Sequence, residues 1–359
     1  MKKIISKRLE KLRTKLEEMH LDAILITKRE NYLYLSGFSG TSAFVIITRT
    51  QAILLTDFRY IEQATREASL YKIIQYKANA VEEIIKILNL NRVEKLGFED
   101  NYFTYSKYCE YETKLSLKTL VPIGNMIELL RAKKDNFEMD MIKKAVEIAD
   151  KTFEHIINYI KPGVREIEIA AELEYYMRRQ GASGRSFETI VASGERSSMP
   201  HGVASTRKLK IGDVVTVDYG AVYKNYCSDI TRTVFLGKPA DEIKKIYNIV
   251  LEAQVKAIDA AVRGAICKDI DNVARDWISS HGYGKNFGHG LGHSLGLEVH
   301  EEPRFSISDE MKIENGTVMT VEPGIYIDGV WGVRIEDVIL VDDEKPVVLT
   351  KATKEIVVL

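Results

Sequence analysis

Asp218, Asp229, His293, Glu322 and Glu336 are of residue types that bind hard or borderline divalent cations. Each falls in or beside a stretch that otherwise reads as packed core: VVTVDYG (214–220), CSDITRTVF (227–235), GHGLGHSLGLEVHE (288–301), TVMTVEPGIYI (317–327) and GVRIEDVIL (332–340). An unpaired carboxylate costs several kcal/mol in such a setting, so it needs a partner of opposite charge. Four carboxylates and one neutral imidazole carry four negative charges, which two divalent cations balance. With no thiolate in the set, Mn²⁺ or Co²⁺ suits the ligands, and Zn²⁺ is compatible. Two such ions held together can activate a water and stabilise an oxyanion.

Strand geometry brings the acids together. Side chains alternate faces along a strand, so Asp218 shares a face with Val214 and Thr216, and Asp229 with Thr231 and Thr233. A turn at Lys224-Asn225 joins the two strands, letting both aspartates converge. In GVRIEDVIL, read as one strand over 333–341, Arg334 and Glu336 share a face. Glu322 precedes Pro323-Gly324, where a strand must break. His293 stands among Gly290, Gly292 and Gly296, where backbone can approach a ligand closely.

These elements belong to a longer pattern. The 359 residues suggest two domains. Up to Gly124, strand patterns at 22–27, 43–48, 52–57, 71–76 and 95–100 alternate with helical ones at 5–19, 58–69, 80–90 and 104–116. That alternation predicts a smaller N-terminal α/β domain, 1–124. From residue 125 to 359 the expectation is an α+β domain. Its helices run over 126–160, 165–179, 240–263 and 268–281, and its antiparallel strands lie over 212–237, 317–321, 325–328, 333–341 and 346–349. Lys161-Pro162-Gly163 is a strong helix stop.

Composition excludes several classes. With 51 basic and 52 acidic residues, the formal net charge of −1 offers nothing to nucleic acid or to an anionic membrane. No apolar run approaches the ~20 residues of a membrane span, and the charged N-terminus reads as no signal peptide. Three scattered cysteines without CxxC spacing fit a reducing cytoplasm. GHGLGHSLG is not a dinucleotide fingerprint, since His293 occupies the third glycine position, and no HExxH, GxSxG or P-loop is present.

The five quoted segments resemble the signature of the pita-bread metallopeptidases, the family of methionine aminopeptidase, aminopeptidase P and prolidase. NYLYLSGFSGTSAFVIIT (31–48) and LLTDFRY (54–60) are similar to the creatinase-type N-terminal domain of its proline-specific branch. The resemblance implies a creatinase-type α/β domain before a catalytic pita-bread domain. It also implies a homodimer whose N-terminal domain helps close the groove, and an exopeptidase cleaving between an N-terminal residue and a following proline. By the same resemblance Asp218 binds one ion, Asp229 and Glu336 bridge both, and His293 and Glu322 bind the second. Glu322 moves the proton, His300 stabilises the oxyanion, and His201 holds the substrate or assists the leaving nitrogen. His289, Tyr326 and Arg334 match supporting positions. On residue type alone, His201 could cap the turn after Pro200, His300 and His289 could serve packing, and Arg334 could neutralise excess carboxylate charge.

The resemblance admits both dipeptides and longer peptides, and the reading leans towards an Xaa-Pro aminopeptidase. Phe187, Tyr326 and Trp331 are candidate walls of a proline pocket, and His20, His155 and His281 are expected on helix surfaces. Two other readings keep the fold: a creatinase-like carbon–nitrogen hydrolase and a non-catalytic binding protein. The intact ligand set disfavours both.

Overall fold

The computed structural model describes residues 1–115 and 119–359. These divide into two compact units, Met1–Arg131 and Ala132–Leu359. The division falls at Arg131 rather than at the expected Gly124. The helix Met126–Ala132 is tied to the first unit: Arg131 donates to Asn31 Oδ1 at 2.7 Å, and Asn31 Nδ2 donates to Glu128 Oε1 at 2.8 Å.

The first unit is a six-stranded mixed sheet in the order 72–75, 52–56, 44–48, 23–26, 95–98, 119–122. The five expected strands are present. The sixth, Thr119–Pro122, was not expected. It pairs in parallel with Lys95–Phe98, which an isolated four-residue pattern cannot announce. The helix Arg29–Ser36, ended by Gly37 at φ 78°, was not expected either. The helix expected over 104–116 spans Tyr105–Lys114, and its expected end at Ser116 lies outside the described residues.

In the second unit, Asp135 opens the helix Asn136–Ile156 with a capping box. Its carboxylate accepts from Phe137 N and Glu138 N, while Glu138 accepts from Asp135 N. This helix and Glu166–Arg179 share an apolar cluster with the sheet of Ile190–Ser193, Val214–Tyr219, Ile230–Phe235 and Val357–Val358. A second pair, Asp241–Ala260 and Cys267–Ser280, shares another with Val318–Val321, Gly324–Ile327, Trp331–Arg334 and Asp337–Leu340. The first helix pair thus covers one four-stranded sheet, in which Val357–Val358 joins Ile230–Phe235 in parallel, and the second covers strands of a five-stranded sheet together with the two-stranded hairpin Gly324–Ile327/Trp331–Arg334. Within Val214–Tyr219 the alternation is strict. Val215, Val217 and Tyr219 enter the first cluster, which leaves Thr216 and Asp218 on the opposite face. Among the described residues, no helix is long and apolar enough to cross a membrane.

Candidate metal centre and active site

Asp218 lies in a regular ladder just before a bend, and the other four ligand candidates sit at strand breaks or irregularities. Val214–Tyr219 pairs with Ile230–Phe235, placing Asp218 opposite Thr231. Beyond that ladder the hairpin bends into another sheet, where Ala221–Tyr223 pairs with Tyr226–Cys227. Gly220 makes the bend possible, because a Cβ there would lie 1.9 Å from Ser228 O. Asp229 falls just past this crossing. Lys224 and Asn225 take φ of 46° and 71° at the hairpin tip, as the turn expected there requires.

The segment 333–341 is not one strand. It breaks between Arg334 and Asp337, and Glu336 N, freed from the ladder, donates to Thr231 O at 3.2 Å. Glu322 occupies the break between Val318–Val321 and Gly324–Ile327. His293 lies at a register shift in the strand Gly292–Ser294. Only glycine fits before it, since a Cβ on Gly292 would lie 2.1 Å from Thr320 O.

These irregularities converge. Ligand oxygens of Asp218, Asp229 and Glu336 lie within 4.8 Å of one another, all three residues being buried. His293 Nε2 stands 3.3 Å from Glu322 Oε1 and 3.7 Å from Asp229 Oδ2. Burial first, then mutual repulsion, pushes Asp229 and Glu336 well above the ordinary carboxylate range. Asp218 is raised less far, because Arg334 opposes the effect of burial. Burial also pushes Glu322 up, but His293, His289 and Arg334 outweigh it and hold this carboxyl at about 2.

The residues fit divalent cations on three counts. Asp218 Oδ1 and Glu336 Oε1 are buried with no hydrogen-bond donor. The protein's own charges cannot keep all the carboxylates ionised. His293 Nδ1 donates to Ser294 O at 3.1 Å, which leaves the Nε2 lone pair aimed at carboxylate oxygens. That contact is repulsive unless a cation lies among them or the ring takes a proton.

Arg334 ties the surroundings together. It donates to Asp218 Oδ2 at 2.6 Å, Thr231 Oγ1 at 3.1 Å, Tyr326 OH at 2.8 Å and Pro200 O at 3.1 Å. Since His289 Nδ1 donates to Gly290 O, Nε2 is left to accept from Tyr326 OH at 3.0 Å. Burial lowers the His289 pKa, which favours this neutral form. The His300 ring meets that of His293 edge-on, with centroids 4.4 Å apart. Burial against its neighbours, then His293, holds the His300 pKa below the usual imidazole range.

A cavity of about 630 Å³ opens onto this cluster. It is lined by all five ligand candidates, by His201, His289, His300 and Arg334, and by the apolar Phe187, Ile190, Pro200, Val203 and Phe305. Of the expected proline-pocket walls, Phe187 belongs to this lining. Tyr326 is drawn to Arg334 and His289 instead, and Trp331 packs on the core of the second helix pair. His155 pairs with Glu172 on the helix surface and His281 closes a helix end. His20 lies past the first helix in a left-handed turn (φ 54°), not on a helix face.

Three features were missed from sequence. Thr231 joins Glu336 to Arg334, and only its strand position hinted at this. The buried Asp271 accepts from Leu291 N at 2.9 Å, and its partner Arg275 donates to Phe287 O and His289 O, so one helix holds the glycine-rich loop. Arg304 enters the cavity lining from the strand Glu301–Phe305.

Comparison with known proteins accords with this geometry. The model of Metallopeptidase family M24 matches residues 140–343, and that of the Creatinase/Prolidase N-terminal domain matches residues 8–133. The chain is 41% identical over 353 residues to an Xaa-Pro dipeptidase of Pyrococcus furiosus, covering 98% of this chain and 100% of that protein. The structure of an Xaa-Pro dipeptidase from Bacillus anthracis is similar with a TM-score of 0.97 at 44% identity, covering 99% of this chain and 100% of that one. That of an X-Pro aminopeptidase from Thermotoga maritima gives a TM-score of 0.92 at 38% identity, covering 98% and 99%. The chain belongs to the M24 metallopeptidases, a family that works with divalent metal, and carries their creatinase/prolidase-type N-terminal domain.

Proposed function

We propose that this metallopeptidase is an Xaa-Pro dipeptidase that uses two divalent ions, Mn²⁺ or Co²⁺, held by Asp218, Asp229, His293, Glu322 and Glu336, and works as a homodimer. One observation carries the dipeptide reading. The cavity that exposes the carboxylate cluster also holds an apolar wall and a half-exposed guanidinium, Arg304, whose Nε is 3.4 Å from Glu302. The other lining arginine, Arg334, is buried and engaged by Asp218. A dipeptide presents a free carboxylate immediately after proline, and a guanidinium is the group that meets it well.

When bound, the ions supply Lewis acidity that polarises the scissile carbonyl and makes water a better nucleophile. Glu322 takes the proton released as water adds to the carbonyl carbon, and passes it towards the proline nitrogen as the C–N bond breaks. This transfer is needed because a tertiary amide nitrogen leaves without an N–H of its own. His300 donates to the oxyanion. His201 contacts the substrate beside the leaving nitrogen, and Asp218 receives the free α-amino group. The apolar residues from Phe187 to Phe305 take the pyrrolidine ring.

Mn²⁺-loaded protein should release free proline from an Xaa-Pro dipeptide and leave the matching Xaa-Pro-Xaa tripeptide largely intact, followed by chromatography. Equal cleavage of the tripeptide would replace the dipeptidase reading with an aminopeptidase one. Cleavage of neither, with Mn²⁺ or Co²⁺, would overturn the peptidase specificity. Light scattering on the same sample tests the dimer.

A further inference from the structure

The segment from Ser193 to Ser205 carries His201, and its two ends meet on one carboxylate. Glu166, at the start of the helix Glu166–Arg179, is wholly buried. Its Oε1 accepts from Ser193 N at 2.8 Å and Ser193 Oγ at 2.7 Å. Its Oε2 accepts from Ser205 N at 3.0 Å, from Ser205 Oγ at 2.6 Å and from the guanidinium of Arg196. Arg196 in turn donates to Val203 O at 2.8 Å, inside the same segment. A buried carboxylate is tolerated only when paired and saturated with donors, and here every donor comes from the segment it closes.

The far side of the segment is held by the active site itself. Arg334 donates to Pro200 O at 3.1 Å, and Gly332 N donates to Ser197 Oγ at 2.9 Å. Pro200, His201 and Val203 line the cavity between these anchors. The His201 backbone therefore hangs between Glu166 at the base and Arg334 at the tip. Arg334 already serves Asp218, whereas Glu166 has no contact with a ligand candidate.

We infer that Glu166 is a positioning residue for the peptidase reaction: it closes the Ser193–Ser205 segment and so sets where His201 stands over the metal cluster. This rests on the reading of His201 as a substrate contact. Glutamine at 166 keeps the length but replaces one acceptor oxygen with an NH₂ group facing N–H donors, and removes the charge that pairs Arg196.

The test is a double-mutant cycle of Glu166→Gln with His201→Ala, with metal content and thermal midpoint measured on each protein. Glu166→Gln should keep its metal and lower kcat/KM by about 10- to 100-fold, the scale of a ~1 Å misplacement. In the His201→Ala background the same change should cost less than about threefold. Hydrogen exchange should quicken over 194–204 and stay unchanged over 214–235. Glu166→Asp should recover part of the loss. If Glu166→Gln does not fold, Ser205→Ala, which removes one donor, carries the same cycle with a smaller loss. Wild-type kcat/KM in a folded variant, or losses that add fully to those of His201→Ala, would overturn the inference. A wild-type protein inactive on Xaa-Pro substrates would instead sink the peptidase reading, leaving the exchange pattern to decide the role of Glu166.

Discussion

Thr231 stands directly opposite Asp218 in the antiparallel ladder, and its hydroxyl links two other members of the site. It donates to Glu336 Oε2 at 2.7 Å and accepts from Arg334 Nε at 3.1 Å. One uncharged side chain thus fixes both a bridging-ligand candidate and the arginine that holds Asp218.

Thr231→Val keeps the shape and removes the hydroxyl. Glu336 then loses its donor, and metal affinity should fall about 10- to 100-fold, as for outer partners of metal ligands elsewhere. Thr231→Ser should restore most of it. Competition titration against a metal-sensing dye measures both, and unchanged affinity in Thr231→Val would remove Thr231 from the site.

Glu336→Gln places an NH₂ group among the carboxylates, where Oε1 is buried without a donor of its own. The variant should lose bound metal in elemental analysis after desalting. Turnover should fall by more than the ~100-fold upper range of an outer partner. Asp218→Asn should act in the same direction and also release Arg334. Intact turnover in either variant is incompatible with the proposed ligand set.

Chelation should make stability fall with rising pH. In the metal-free protein Asp229 and Glu336 sit well above the carboxylate range through burial and repulsion, with Asp218 raised in the same sense. The folded state then binds more protons than the unfolded chain above the unfolded pKa of about 4. Stability must therefore fall as pH rises through the raised folded values. Glu322, held at about 2, contributes oppositely, but its share is lost only below that window. Thermal scans of EDTA-treated protein from roughly pH 5 to 8 should show a falling midpoint, and bound Mn²⁺ should remove most of the slope. Parallel slopes with and without metal would refute the coupling of these acids to a cation.

Arg304→Met should raise KM for an Xaa-Pro dipeptide by about 10- to 100-fold, the loss of a charge-assisted contact of roughly 1.5–3 kcal/mol. Metal content should not change. An Xaa-Pro amide, which has no terminal carboxylate, should be nearly insensitive. Equal loss on both substrates would assign Arg304 a role other than carboxylate recognition.

Strand alternation put Asp229 and Thr231 on one face of their strand and Asp218 with Thr216 on one face of its own, because period-two patterning is local, and the turn at Lys224-Asn225 let the two strands converge. The five ligand candidates could be picked out for a related reason: charge in an apolar stretch is visible without coordinates. What the linear pattern could not show is the break at Ile335–Glu336, since the break is made by a hydrogen bond from Glu336 N to Thr231 O in another sheet. The strands Thr119–Pro122, Ile190–Ser193 and Gly292–Ser294 were equally hidden, being short and defined by neighbours distant in the chain. The roles inferred for Glu166 and Arg304 also depend on the fold. One acts by joining residues 193 and 205 through a single carboxylate, the other by standing at the same cavity as the ligands. The sequence by itself determined which groups carry the chemistry, because residue type and local period are written along the chain. Only the tertiary structure decided what surrounds them, because distances between remote segments are set by packing.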